Sequence, residues 1–327
     1  MKSGIKNLIG CIVTIALIVI MVAYLGHLTR PIEVDRCFLA IDAFHSVPED
    51  SVEVMIYGSS HAWYGVKSME MYESYGIGAY NYGNTWQHGN TTELFLADSF
   101  RTQSPKVVLI ETYRLANLLR NTDVVGEVLY TKAIPHSETK QEYLTQLFGD
   151  DKERWLSYYV PLSAFHQNWE NLEARSFEAN AYDNDFYQTM GWWEKIKTTE
   201  ISIPDQSSKA QKNLHEDAIA VLDDMMALCK ENDVEVVFFT TPWQGVFQHR
   251  DAIAEYAEQN GCAYLNLFEK MDEVGLDVKT DFMDEGHLNA NGATKVANYL
   301  GAYLAENYEL TDMRTIENNI WEQALAR

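Results

Sequence analysis

The chain has 327 residues, 46% of them hydrophobic, enough for one large domain or two small ones. Its formal net charge of −23 excludes nucleic acid, whose phosphates it would repel, and argues against anionic lipid head groups. Its four cysteines, Cys11, Cys37, Cys229 and Cys262, form no Cys-x-x-Cys pair and leave three outside the apolar N-terminal run, so neither structural zinc nor a disulfide framework is expected.

Residues 1–6 carry Lys2 and Lys6, and Leu8 to Leu25 is almost wholly apolar and uncharged. That run is just long enough to cross a bilayer with flanking help. Residues 7–26 therefore read as a single-pass anchor in the cell membrane. The basic N-terminus is cytoplasmic, and everything after about residue 27 is extracytoplasmic. A cleaved signal peptide is the competing reading; the apolar run is long for one, and no clear small-x-small site follows it. Residues 27–50, with Pro31, Pro48 and the pair Glu49-Asp50, read as a connector.

Val52, Val54 and Ile56 alternate as a buried strand that stops at Gly58. Ser59, Ser60 and His61 follow, then a helical run from Met69 to Tyr75 that ends near Gly76. Ala79 to Gly83 reads as a second short strand, and Asn90-Thr-Thr-Glu93 as a capping-box start to a helix reaching about Arg101. Val107 to Ile110 is a continuous apolar run, as in a parallel strand buried on both faces.

Residues 114–205 are rich in Trp, Tyr, Asn and charge and lack strand rhythm, so they read as a helical insertion lying over the sheet. The regular pattern resumes with a helix over 215–230, whose apolar face is Ile219, Leu222, Met226 and Cys229. A strand over 234–240, a helix over 248–260 with Gly261 at its C-terminus, a strand over 263–267 and a helix over 291–306 complete the pattern. The strand-helix-strand order from 52 to 267 implies an α/β parallel sheet with right-handed crossovers, within a domain expected over 51–310, with 311–327 as a C-terminal tail.

A serine at a strand-to-helix turn sits at the open end of a sheet among backbone N–H groups, a place suited to a nucleophile. The plainer reading is a glycine-serine turn with a helix cap. A serine alcohol needs a base and an acid to orient that base. Asp-x-x-His occurs twice, as Asp42/His45 and Asp284/His287. The first pair precedes the first strand, at the wrong end of the sheet. The second follows the last strand, at the edge where loops after parallel strands gather. Ser59, Ser60, Gly83, Tyr113, Thr241 and His287 are all expected at that edge.

Gly58-Ser59-Ser60-His61, Tyr80-Asn-Tyr-Gly83 and Asp284-Glu-Gly-His287-Leu-Asn resemble the SGNH (GDSL-like) hydrolases, and within them the membrane-anchored Gly-Ser-Ser-His branch of Gram-positive bacteria. The similarity covers roughly residues 45–113 and 280–305. It implies a flavodoxin-like three-layer sandwich and no metal or cofactor. It also implies Ser60 as nucleophile, His287 as base, Asp284 as acid, and oxyanion N–H groups at Ser60 and Gly83. One departure stands out: many members carry Gly-x-Asn-Asp after the third strand, where this chain has Ile110-Glu-Thr-Tyr-Arg. Losing one oxyanion donor costs on the order of a hundredfold in rate. Gln87 is the first substitute, with Asn84 and Tyr113 behind it; for each, a capped loop or packed aromatic is the plainer reading. His61 and His88 read as hydrogen-bonded helix-start or loop residues rather than second bases.

The expected function is a serine acyl esterase or O-acetyltransferase acting on a cell-surface polysaccharide or cell-wall polymer. By the same resemblance, a membrane-bound O-acyltransferase is a candidate partner. Trp155, Trp169, Trp192 and Trp193 suit sugar stacking, although core or lid packing is the commoner use of such residues. The competing expectations are a catalytically weak or inactive binding component of a surface-polymer acylation assembly, and a lipase-type esterase.

Overall fold

The computed structural model describes residues 2–32, 34–85, 87–116 and 131–326. Part of the expected insertion, residues 117–130, lies outside the described residues. The chain divides into two compact units: residues 1–38 with 121–183, and residues 39–120 with 184–327.

In the first unit, helix α1 (Lys2–Leu28) contains a stretch, Gly4–Leu28, that is long and apolar enough to cross a membrane and is exposed along its apolar length. Among the described residues, contacts hold its last turn. A side chain at Gly26 would stand 2.9 Å from the Leu162 amide nitrogen, so the helix Pro161–Phe165 lies directly against it. His27 Nε2 meets the Glu178 carbonyl at 2.7 Å. Just beyond, Arg30 makes two 2.7 Å bonds to Asp35 and donates to the Ser176 carbonyl, while Asp35 accepts from the Ala181 N–H. Both charges are buried, and this fork geometry with further partners is what offsets their desolvation. Helix α2 (Val34–His45) fills much of the stretch expected to be a connector.

The second unit is built on five parallel strands: β1 (Val54–Tyr57), β2 (Ala79–Asn81), β3 (Val107–Glu111), β4 (Glu235–Thr240) and β5 (Ala263–Asn266). Their order is β2-β1-β3-β4-β5, the flavodoxin-like arrangement with a topological switch beside β1. Strand side chains alternate between faces. Val54, Ile56, Val107, Leu109, Val237 and Phe239 face a core shared with Val296, Leu300 and Leu304 of the helix Ala290–Asn307. The intervening Tyr57 reaches the other face, where its hydroxyl meets Ser99 of α5 (Gly89–Ser99). Both faces are covered, so the strands are mostly apolar, with Asn81, Glu111, Glu235 and Asn266 confined to their ends.

Several elements differ from expectation. A short helix, α3 (Ser60–Gly65), begins directly after β1, capped by the Ser59 hydroxyl, and α4 (Ser68–Tyr75) follows it. Helix α5 starts one residue before Asn90, with His88 as its flanking residue and no side-chain cap; Asn90 is already inside the helix and cannot serve as the box. The helix Glu216–Glu231 buries Val221, Leu222, Met225 and Cys229, whereas Ile219 is exposed, a rotation of the expected face. Residues 184–205 group with the sheet: Met190 C=O accepts from Asn81, and Thr199 and Ile201 pair with Phe282 and Val278. The last residues also belong to this unit, since Trp321 is 1% exposed and its indole donates to the Ala79 carbonyl.

Candidate active site

Gly58 ends β1 at φ +143°, a conformation that L side chains rarely adopt, and a Cβ there would stand 2.6 Å from the Glu111 Cβ. The strand can therefore turn sharply enough for Ser60 to open α3. Ser60 takes the first helical position, whose N–H has no intrahelical acceptor, and Ala62 and Trp63 bond back to the Ser59 carbonyl.

The opposing loop is held by Asn289, the N-cap of the helix Ala290–Asn307. Its Oδ1 accepts from Asn291 and Gly292, and its Nδ2 donates to the Thr280 carbonyl at 2.8 Å. Phe282 and Leu288 pair as an antiparallel bridge, which presents residues 283–287 as a tight bulge toward α3. Ser60 Oγ and His287 Nε2 lie 2.8 Å apart, and His287 Nδ1 lies 2.9 Å from Asp284 Oδ1. The same Asp284 oxygen accepts the Gly286 and His287 N–H groups at 2.8 and 2.9 Å, so the carboxylate both organises the bulge and faces the imidazole. The structure thus brings Ser60, His287 and Asp284 into one hydrogen-bonded chain. Asp42 and His45 sit on α2, outside it.

Around this chain lies a cavity of about 270 Å³, walled by Tyr64, Tyr113 and His61, with Thr85 and Arg114 also lining it. His61 is buried, stacks on Tyr113 with ring centroids 4.0 Å apart, and meets Thr241 through Nδ1. Burial, followed by the neighbouring His287 and Arg114, holds its pKa well below the usual imidazole value. It stays neutral and adds no positive charge beside His287. Trp243 packs edge-on against both His61 and Tyr113. Of the expected sugar-stacking aromatics, Trp192 is buried, Trp193 packs on Trp63 and Tyr64, Trp155 stacks on Tyr159, and Trp169 is 62% exposed.

The expected oxyanion groups are placed less simply. Gly83 lies against the serine turn, where a Cβ would meet the Gly58 carbonyl and the Trp63 nitrogen, but its N–H donates to Asn81 Oδ1 at 3.0 Å. Asn84 N–H donates to the Gly58 carbonyl, and Asn84 Oδ1 accepts from Thr85. Asn84 Nδ2 and both amide atoms of Gln87 are fully buried and have no hydrogen-bond partner among the described residues. Neither side chain lines the cavity. At the end of β3, Glu111 is buried, with Oε1 accepting the Tyr113 N–H and Oε2 unpartnered among the described residues; burial raises its pKa to about 8. Among the described residues no group of His, Cys, Asp and Glu could hold a metal ion.

Two organising residues escaped the sequence reading. Asn81 ties β2 to α3 by donating to the Ala62 and Val66 carbonyls while holding Gly83. Asn289 was legible only as the end of a motif. A polar residue inside a strand, and an Asn just before a helix, were the available signals.

No family profile matches the chain, and no curated protein matches it. A solved structure from Bacteroides fragilis NCTC 9343, described as a candidate acylhydrolase, is similar over 81% of this chain and 93% of its own. The identity is 13% and the TM-score 0.39, a likeness that carries no argument about the site.

Proposed function

We propose that the protein is an anchored, extracytoplasmic serine acyl esterase or O-acetyltransferase of the SGNH type, acting on a cell-surface polysaccharide or cell-wall polymer. The observation that supports this reading is the hydrogen-bonded chain from Ser60 Oγ through the His287 ring to Asp284, joining residues 227 positions apart. His287 Nε2 takes the serine proton as Ser60 Oγ attacks the ester carbonyl. The tetrahedral oxyanion collapses, the alkoxide leaves with the proton from His287, and an acyl group remains on Ser60. Water or a sugar hydroxyl, deprotonated by His287, then releases it. Asp284 holds the imidazole tautomer and stabilises its charged form.

The oxyanion is assigned to the Ser60 N–H, the Gly83 N–H shared with Asn81, and a side-chain amide from Gln87. Asn84 Nδ2 is the neighbouring alternative, being equally buried and unpartnered. A donor role requires Gln87 or Asn84 to turn its amide toward Ser60. Helix α1 supplies the anchor, and the two lysines before it favour a cytoplasmic N-terminus.

The cavity of about 270 Å³ is smaller than those that enclose drug-sized ligands, which favours a short acyl group over a lipid chain. Full-length protein in detergent should turn over p-nitrophenyl acetate, lose that activity in Ser60→Ala and His287→Ala, and lose rate as the acyl chain lengthens. Rates that rise with chain length would favour the lipase-type reading. No turnover by a folded wild type would favour a binding component, the reading to which the missing third-block Asn points.

A further inference from the structure

The first unit exposes large apolar side chains around the end of α1. Trp169 is 62% exposed, Phe177 60%, Tyr159 61% and Leu156 55%. Large apolar groups exposed within one short stretch of chain point to an interaction surface. Each is close in sequence to a residue that touches the last turn of α1 or the residue just past it. Trp169 follows Asn168, whose amide donates to the Thr29 carbonyl at 3.0 Å. Phe177 precedes Glu178, whose carbonyl meets His27. Leu156 and Tyr159, one turn apart on the helix Lys152–Tyr159, lead directly into the helix Pro161–Phe165 that packs on Gly26.

Depth identifies the occupant. The uncharged run Leu8–Leu25 extends for roughly 27 Å at about 1.5 Å per residue, against a hydrocarbon layer of about 30 Å. With Lys6 held at the cytoplasmic head groups, the layer ends at the last turn of α1, which lies with whatever packs against it at the opposite head-group boundary, where Trp and Tyr rings are favoured. Charge identifies the kind of contact. Between residues 150 and 178, Asp150, Asp151, Glu153, Glu170, Glu173 and Glu178 outweigh Lys152, Arg154 and Arg175. Attraction to anionic head groups is therefore unavailable, and the attachment is an apolar wedge that salt does not weaken.

We propose that residues 156–177 form a platform seated in the lipid interface around the exit of α1, with Trp169 and Phe177 as its wedge. It rests on the anchoring part of the proposed function and not on the serine chemistry.

The test reconstitutes the full chain in phosphatidylcholine vesicles, with and without acyl-chain bromination near the head group. Tryptophan emission is compared between wild type and Trp169→Phe, and Cys11, within α1, is probed with a membrane-impermeant maleimide. The platform predicts that Cys11 is protected, that brominated lipid quenches wild type more than Trp169→Phe, and that this difference persists in high salt. If Cys11 is protected but Trp169 is quenched by aqueous iodide and untouched by brominated lipid, the platform is wrong while the anchor stands. A protein partner covering this face in place of lipid would give that same result. If Cys11 is labelled, anchor and platform fall together, and the esterase assay still judges the chemistry separately.

Discussion

Asp284 Oδ1 accepts from three donors at once: the His287 ring at 2.9 Å and the Gly286 and His287 amides at 2.8 and 2.9 Å. Charge and loop geometry therefore depend on one carboxylate, and two substitutions separate them. Asp284→Asn keeps an oxygen for the amides but removes the negative charge facing the imidazole. It is expected to keep the melting temperature within a few degrees and to lower kcat on the order of ten-thousandfold. Asp284→Ala should lose both activity and stability. Equal melting temperatures in the two variants would show that the bulge does not need this acceptor.

Gln87 gives the opposite signature. Replacing a buried, unpartnered amide by an apolar side chain of similar size relieves a desolvation penalty of about 1–3 kcal/mol. Gln87→Leu should therefore melt at a higher temperature than wild type. If the amide turns to the oxyanion during the reaction, the same variant loses about a hundredfold in kcat with little change in KM. A stabilised variant with unchanged kcat would remove Gln87 from the site.

Glu111 makes stability depend on pH. Its folded pKa is raised to about 8 from an ordinary 4.5, so the folded state keeps a proton that the unfolded chain releases. The contribution of this group to stability is therefore largest in acid, falls as pH rises from about 4.5 to about 8, and levels off above that. Glu111→Gln should flatten this slope and gain on the order of 1–3 kcal/mol at pH 8. Denaturation midpoints measured at pH 5 and pH 8 decide it; parallel slopes in the two proteins would contradict it.

Asn289 supports His287 without touching it. Asn289→Ala removes the cap of the last long helix and the bond to the Thr280 carbonyl, a loss of about 2–3 kcal/mol. Thermal melting should show that loss, and kcat should fall because the bulge carrying Asp284 and His287 loosens. Asn289→Asp keeps the cap but not the donor, and should recover part of the stability.

The sheet was legible because its strands are apolar runs at regular intervals, and burial on both faces leaves no other place for Val107 to Ile110. The meeting of Ser60 and His287 was legible because strand order fixes which loops share an edge. Helix α3 was not, because Ser-His-Ala-Trp-Tyr-Gly has no repeating apolar face and owes its helix to the Ser59 cap. Helix Glu216–Glu231 was read with its inward face slightly rotated: Leu222 and Cys229 are buried as expected, but Val221 and Met225 are buried in place of Ile219 and Met226, which are equally apolar, so only packing chooses between them. The commitment of the Gly83 N–H to Asn81 depends on a side-chain rotamer, which no spacing rule encodes.

The most direct measurement is covalent: treatment of the full-length protein with a serine-reactive phosphonate, followed by peptide mapping. The account predicts a single adduct on Ser60, lost in His287→Ala although the serine is still present. An unlabelled wild type of native melting behaviour, or an adduct on Ser59 that survives in Ser60→Ala, would contradict it.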